Sequence, residues 1–162
     1  MPVSPLADLF ARPHRRAVLH AGGGLAALAL GLSGCADVPV EPRRIKWGRD
    51  ACEFCHMVFA DRRFAAEVWD RDTNRARIYD DFGCAVLASA ENGRLDDATV
   101  PFWVTDDADP TRWLDARTAR YRNDVVTPMG YGHSAGPAAD HPLAFAAAAE
   151  AIRTKAACEH QS

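Results

Sequence analysis

Methionine is nearly missing from this chain. Only three of its 162 residues are Met, and one is the initiator, which leaves Met57 and Met129. There is no HExxH helix, no glycine-rich phosphate loop and no recognisable serine–histidine–aspartate motif, so the usual hydrolase machinery is lacking. Basic residues are not in excess: 19 Lys+Arg stand against 22 Asp+Glu, a formal net charge of −3. That balance excludes the electrostatic footprint of a nucleic-acid binder. No internal repeat occurs, and the one low-complexity run is the alanine cluster at 144–149. Long apolar runs are also scarce. Residues 17–32 form the longest, and it is short of the ~20 residues a spanning helix needs and softened by three consecutive glycines.

That run has the flanks of an export signal. Arg12, Arg15 and Arg16 precede it, and Leu32, Ser33, Gly34 and Cys35 close it with the small-residue pattern of a lipoprotein cleavage site. Residues 1–34 therefore read as a signal peptide that is removed, the alternative being an uncleaved anchor helix. Cys35 becomes the lipidated N-terminus, holding the protein to a membrane without spanning it. The expected compartment is the periplasm. Ala36 favours the outer over the inner membrane, Asp37 leaves that choice open, and the Arg15–Arg16 pair leaves open export by the general or the twin-arginine route. Residues 35–46 are the lipidated cysteine and a proline-containing tether, 47–157 the functional domain, and 158–162 a tail. Removing residues 1–34 takes away three arginines and one aspartate, which moves the net charge to −5 and leaves one domain's length of chain.

The pattern within that domain predicts an α+β module of roughly two β–β–α units. Residues 64–70 and 75–79 alternate apolar and polar around the turn formers at 70–74, which predicts a hairpin with one wet face. Asp80 is the expected N-cap of a helix reaching about Ala90, with Phe82, Val86 and Ala90 on one face and Asn92 and Gly93 ending it. Residues 99–105 read as a strand with Pro101 at an edge or a start, and 118–126 as a weaker one with Ala119 and Tyr121 inward. Asp140 and Pro142 are expected to open a last helix to about Ala156, with Phe145, Ala149 and Ile152 inward. The four tryptophans, 47, 69, 103 and 113, read as scaffold.

Three segments concentrate soft donors: 52–57 (CEFCHM), 80–84 (DDFGC) and 127–133 (TPMGYGH). Both remaining methionines lie in them. Thiolate and thioether sulfur select Cu(I) over hard cations, because soft ligands share electron density with a polarisable d10 ion. Cys52 and Cys55 sit close enough on one turn either to bond each other or to hold one metal. Cys84 falls in the first turn of the expected helix, where free N–H groups lower a thiol pKa. A closed zinc site needs four ligands. Three thiols are at hand, Asp81 stands where a second cysteine of that pair would be, and a fourth donor would have to come from His56, His133 or Cys158. Met129 between Pro128 and Gly130 reads as a ligand on a loop, against the plainer reading of core filler. Met57 faces either the site or the hairpin. His141 and His160 read as surface residues, and Cys158 as incidental.

Together these residues resemble the NosL family, lipoproteins that assist nitrous oxide reductase maturation by delivering copper. The matching pieces are the lipobox at Cys35, residues 52–57, 79–84 (YDDFGC), 102–106 (FWVTD), 113–117 (WLDAR) and 127–132 (TPMGYG). The resemblance implies a small periplasmic α+β lipoprotein that binds one Cu(I) and is not an enzyme. It implies Cys55 as the thiolate ligand and Met129 as the thioether, with a histidine-like third donor at His133. Cys52, Met57 and Cys84 are then auxiliary. The implied partner is nitrous oxide reductase, or its assembly factors, as copper acceptor. Family members continue past the last helix into a strand, whereas this chain ends shortly after it. Two rival readings remain: a periplasmic thiol–disulfide reductant that uses Cys52 and Cys55, and a structural zinc or disulfide module.

Overall fold

The computed structural model describes residues 40–159. The expected signal peptide, the lipidation site Cys35, the first half of the tether and His160 lie outside these residues. Among the described residues no helix is long and apolar enough to cross a membrane.

The architecture is α+β, with two antiparallel sheets and two helices. The first hairpin joins β1 (Ala66–Asp70) to β2 (Arg75–Tyr79), with Val68 opposite Arg77 and Asp70 opposite Arg75. A short 3-10 turn, Arg62–Phe64, precedes it, capped by the Asp61 carboxylate. The expected wet face survives only on β2, where Arg75 is exposed and Arg77 half-buried, and is lost on β1. β1 is an interior strand, because β3 (Phe102–Thr105) pairs on its other side and β4 (Trp113–Asp115) extends the sheet to the order β2-β1-β3-β4. The segment before the hairpin covers the remaining face, where the Arg43 N–H donates to Glu67 Oε2 at 2.7 Å. Glu67 is thus fully buried.

Helix α1 (Phe82–Glu91) follows β2 directly. Its cap is Asp81 and not Asp80: Asp81 Oδ1 accepts the Gly83 N–H at 2.8 Å. The one-residue shift matters, because it leaves the Asp80 carboxylate available for something other than the helix end. Pro101 lies at a strand start, ahead of β3, where its missing N–H interrupts no ladder.

The second sheet has the order β6-β5-β7, from β5 (Arg120–Arg122), β6 (Ser134–Gly136) and β7 (Leu143–Ala144). The last helix does not open at Asp140 as expected. Leu143 and Ala144 instead pair with Tyr121 and Arg120, and α2 (Phe145–Glu159) begins only after them. A two-residue strand has too little pattern to read, and only the exposed edge of β5 makes it a strand. Helix α2 carries Cys158 on its last turn, in place of a frayed tail.

An aromatic cluster ties the layers together. Phe82 of α1 stacks on Tyr121 of β5 at 4.5 Å between centroids, and Phe102 of β3 meets Phe145 of α2 edge-on at 5.6 Å. Such pairs add about 0.5–1.5 kcal/mol each beyond their burial. The Tyr121 hydroxyl is satisfied inside the core by the Ala116 carbonyl at 2.6 Å. The cluster presses the N-terminal end of α1 into the middle of the fold, and that end is where the donors meet.

Candidate metal centre

Residues 50–59 form a knuckle rather than a helix. An Ala51–Val58 bridge closes it, with Cys52 N–H donating to the Met57 carbonyl at 2.8 Å and His56 N–H to the Cys52 carbonyl at 3.0 Å. His56 completes the turn at φ +65°, a left-handed conformation that costs a side-chain-bearing residue roughly 1 kcal/mol. The Glu53 N–H donates to the Ile78 carbonyl, and its carboxylate pairs with Arg75 at 2.9 Å, so the knuckle is fastened to β2.

This fastening sets Cys52 and Cys55 over the start of α1. The Cys52, Cys55 and Cys84 sulfurs and a carboxylate oxygen of Asp80 all lie within 4.8 Å of one another. Cys52, Cys84 and Asp80 are buried, while Cys55 is half-buried. A tetrahedral ion with bonds near 2.3 Å would space its sulfurs at roughly 3.8 Å, so closure requires movements of about 1 Å or less. These four residues can hold a metal ion. Three of the donors are thiols, not disulfides.

The thiols differ in how readily they give up a proton. The neighbouring Cys84 thiol hydrogen-bonds to Cys52 and lowers its pKa below the usual thiol range. The same interaction, followed by burial, pushes Cys84 well up. Cys55 is raised to about 12, chiefly by burial, and its thiol donates to Asp80 Oδ1 at 3.3 Å. Cys55 is the most solvent-accessible of the three thiols, and its hydrogen bond to Asp80 has to be released before its sulfur can ligate a metal.

The loop carrying Met129 docks against the same helix end. Asp81, having capped α1 with one oxygen, accepts the Met129 N–H with the other at 3.0 Å. The two adjacent aspartates thus face two ways, Asp80 to the thiols and Asp81 to the methionine loop. Gly130 and Gly132 take φ values of +73° and +80°, which a glycine adopts without penalty. Tyr131 lies directly on Gly83, so close that a Cβ there would fall 2.2 Å from its ring. Met129 itself is half-buried against the core.

The remaining candidates fall at different places. His133 is buried, with Nδ1 2.8 Å from the Tyr131 carbonyl, and its Nε2 is buried without a hydrogen-bond partner. A carbonyl accepts only, so Nδ1 carries the proton and Nε2 presents a lone pair, the arrangement of a metal-ligating histidine. His133 is nevertheless outside the four-residue group. Met57 and His56 are exposed on the knuckle, and Cys158 is exposed on α2. His141, expected at the surface, is buried with Nε2 3.2 Å from Asp107 and Nδ1 3.0 Å from the Pro137 carbonyl, a tie within the second sheet's surroundings.

Asp80 is the donor that sequence reasoning missed. The paired aspartates at a strand–helix junction were the available signal: one helix end takes one cap, and the other carboxylate is left to find a partner. No family model, no curated protein and no solved structure matches the chain.

Proposed function

We propose that this chain is an exported, lipid-anchored Cu(I) carrier of the NosL type, which hands copper to nitrous oxide reductase or its assembly factors. The observation that carries the reading is the meeting of three soft-donor segments at one helix end. The knuckle brings Cys52 and Cys55, α1 brings Cys84, and the Met129 loop is tied to the same end through Asp81. In this reading Cys55 is the thiolate ligand, Met129 the thioether and His133 a third donor, with Cys52, Cys84 and Met57 auxiliary. One thiolate and Cu(I) sum to zero charge, so a half-buried position carries no net-charge penalty. The exposed side of Cys55 supports entry and departure of an ion, which a carrier needs and a storage cage does not.

A second reading draws on Asp80. Three cysteines and a carboxylate are a complete tetrahedral set for a structural Zn(II), and the N–H groups at the start of α1 offset part of its negative charge.

Competition against a Cu(I) chelator under reducing conditions, with parallel Zn(II) titration, separates the two. In the carrier, Cys55→Ser and Met129→Ala each weaken Cu(I) by more than the roughly 10–100-fold typical of an outer-shell residue. Met129→Ala leaves Zn(II) uptake unchanged, since a thioether has little affinity for it. If Met129→Ala keeps full Cu(I) affinity while Asp80→Asn abolishes Zn(II) binding and lowers stability, the structural reading replaces the carrier. Mass spectrometry of the native N-terminus tests the anchor independently, by showing diacylglycerol on Cys35 or its absence.

A further inference from the structure

A cleft of about 660 Å³ lies between the end of the tether and the start of β4. Its cations are Arg43, Arg44, Lys46 and Arg62, and two tryptophans, Trp47 and Trp113, contribute to its walls. Four cations in one cleft run against the acidic balance of the whole chain. Arg43 is matched by Asp50 at 3.0 Å. Arg44, Lys46 and Arg62 make no ion pair among the described residues, and Arg62 rests over the Trp47 ring at 5.0 Å. Trp47 is in turn held edge-on by Phe59 at 5.7 Å, so this wall is fixed.

We infer that this cleft seats the phosphate headgroup of an anionic phospholipid, and so lays one face of the domain on the bilayer. The inference rests on the membrane anchor of the proposed function but not on its copper chemistry. Arg44 and Arg62 make no ion pair and Lys46 shares Asp50 with Arg43, so the cleft keeps a surplus of positive charge to meet a phosphodiester's single negative one, and tryptophan sides suit the headgroup level, where one end of the ring is apolar and the other wet. Chain length favours the lipid over any other anion. Arg43 is eight residues beyond Cys35, a reach of at most roughly 29 Å even when fully extended. Once Cys35 is acylated, a headgroup layer is always within range of the cleft.

The test uses the full chain with Cys35→Ser, so that no acyl group contributes, and vesicles of phosphatidylcholine alone or with phosphatidylglycerol added. The parent is compared with Arg44→Gln/Lys46→Gln/Arg62→Gln, so the contribution of the leader cancels in the ratio. Each cation near an anionic surface contributes about fivefold to binding, so the triple variant should partition on the order of 100-fold more weakly onto phosphatidylglycerol vesicles. On phosphatidylcholine the two proteins should be equal. Arg44→Lys/Arg62→Lys should retain partition, and an unchanged circular dichroism spectrum of the triple variant shows that charge and not folding was lost. Equal partition of parent and triple variant on both vesicles overturns the inference. So does displacement by inorganic phosphate well beyond that caused by sodium chloride of equal ionic strength, since this would mark a site for free phosphate. A native N-terminus lacking diacylglycerol would refute the anchor and leave the partition ratio as it was measured.

Discussion

Gly83→Ala probes whether the methionine loop and the thiol cluster form one unit. Two effects oppose each other. Alanine favours a helix over glycine by about 1 kcal/mol in an interior, and by less at this second helical position. Against that, an ideal Cβ at Gly83 would lie 2.2 Å from Tyr131 Cδ2 and Cγ and 2.5 Å from Tyr131 Cβ. Ordinary carbon contacts begin near 3.5 Å, so more than about 1 Å of separation must be found. Rotating the ring cannot supply it, because Cβ and Cγ sit at the base of the side chain. The loop itself has to retreat. Overpacking of this kind costs roughly 1–3 kcal/mol, which leaves a net loss of about 1–2 kcal/mol after the helix gain. In urea, with a slope near 1–3 kcal/mol per molar, the midpoint should fall by about 0.3–2 M.

Retreat of the loop also breaks the Met129 N–H bond to Asp81. Cu(I) affinity should therefore drop toward that of Met129→Ala, while Zn(II) uptake by Cys52, Cys55, Cys84 and Asp80 is kept. Tyr131→Ala would keep the Cβ that lies 2.5 Å away, so Tyr131→Gly is the variant that removes the obstacle, and the double variant with it should be more stable than the two single losses predict, with a coupling of roughly 0.5–3 kcal/mol. The reasoning is refuted if Gly83→Ala unfolds at the parent's midpoint or above it, or if its effect simply adds to that of Tyr131→Gly.

Three further outcomes are expected. His56→Gly should stabilise the protein by a few tenths to about 1 kcal/mol in thermal melts, because the left-handed φ of +65° suits glycine, and should leave metal affinity intact; a loss of affinity would make His56 a ligand. Glu67 has a folded pKa raised from 4.5 to about 8 by burial, so the native state holds a proton that the unfolded chain releases. Its contribution to stability is complete below about pH 4.5 and is lost as pH rises to about 8, at up to about 1.4 kcal/mol per unit. Glu67→Gln should flatten that slope and be the more stable form at pH 8, which denaturant titrations across the range would check. Cys158→Ser should leave Cu(I) affinity at the parent value in chelator competition, since the exposed end of α2 is outside the donor group; a marked loss would relocate the site.

Much of the fold was legible because it is local. The hairpin at 66–79 is readable from alternation and turn formers, and α1 from its apolar spacing and its Asn92–Gly93 stop, though its cap was read one residue early. The Tyr121 hydroxyl bond to the Ala116 carbonyl and the Arg117 contacts to the Leu95 and Asp97 carbonyls brace the scaffold around residues 116–121. Where reading failed, the missing information was non-local. β1 turns out to be an interior strand because β3, some thirty residues away, takes its free edge, and its wet face is lost because the Arg43 segment covers Glu67. The helix expected from Asp140 is delayed because β5 offers an edge to Leu143 and Ala144.

The sequence by itself determined which chemistry was on hand: three thiols, two thioethers and a few histidines, grouped in three short segments. Residue type is enough for that, since softness belongs to the side chain and not to its surroundings. Only the tertiary structure decided who meets whom. Asp81 rather than Asp80 satisfies the helix end, so Asp80 turns to the thiols, and the hydrogen bonds of Glu53 to β2 and of Asp81 to the Met129 loop bring distant segments to one point. A helix end has a fixed number of free N–H groups and a fixed direction, and that geometry, absent from a list of residues, selects the donors that share a site.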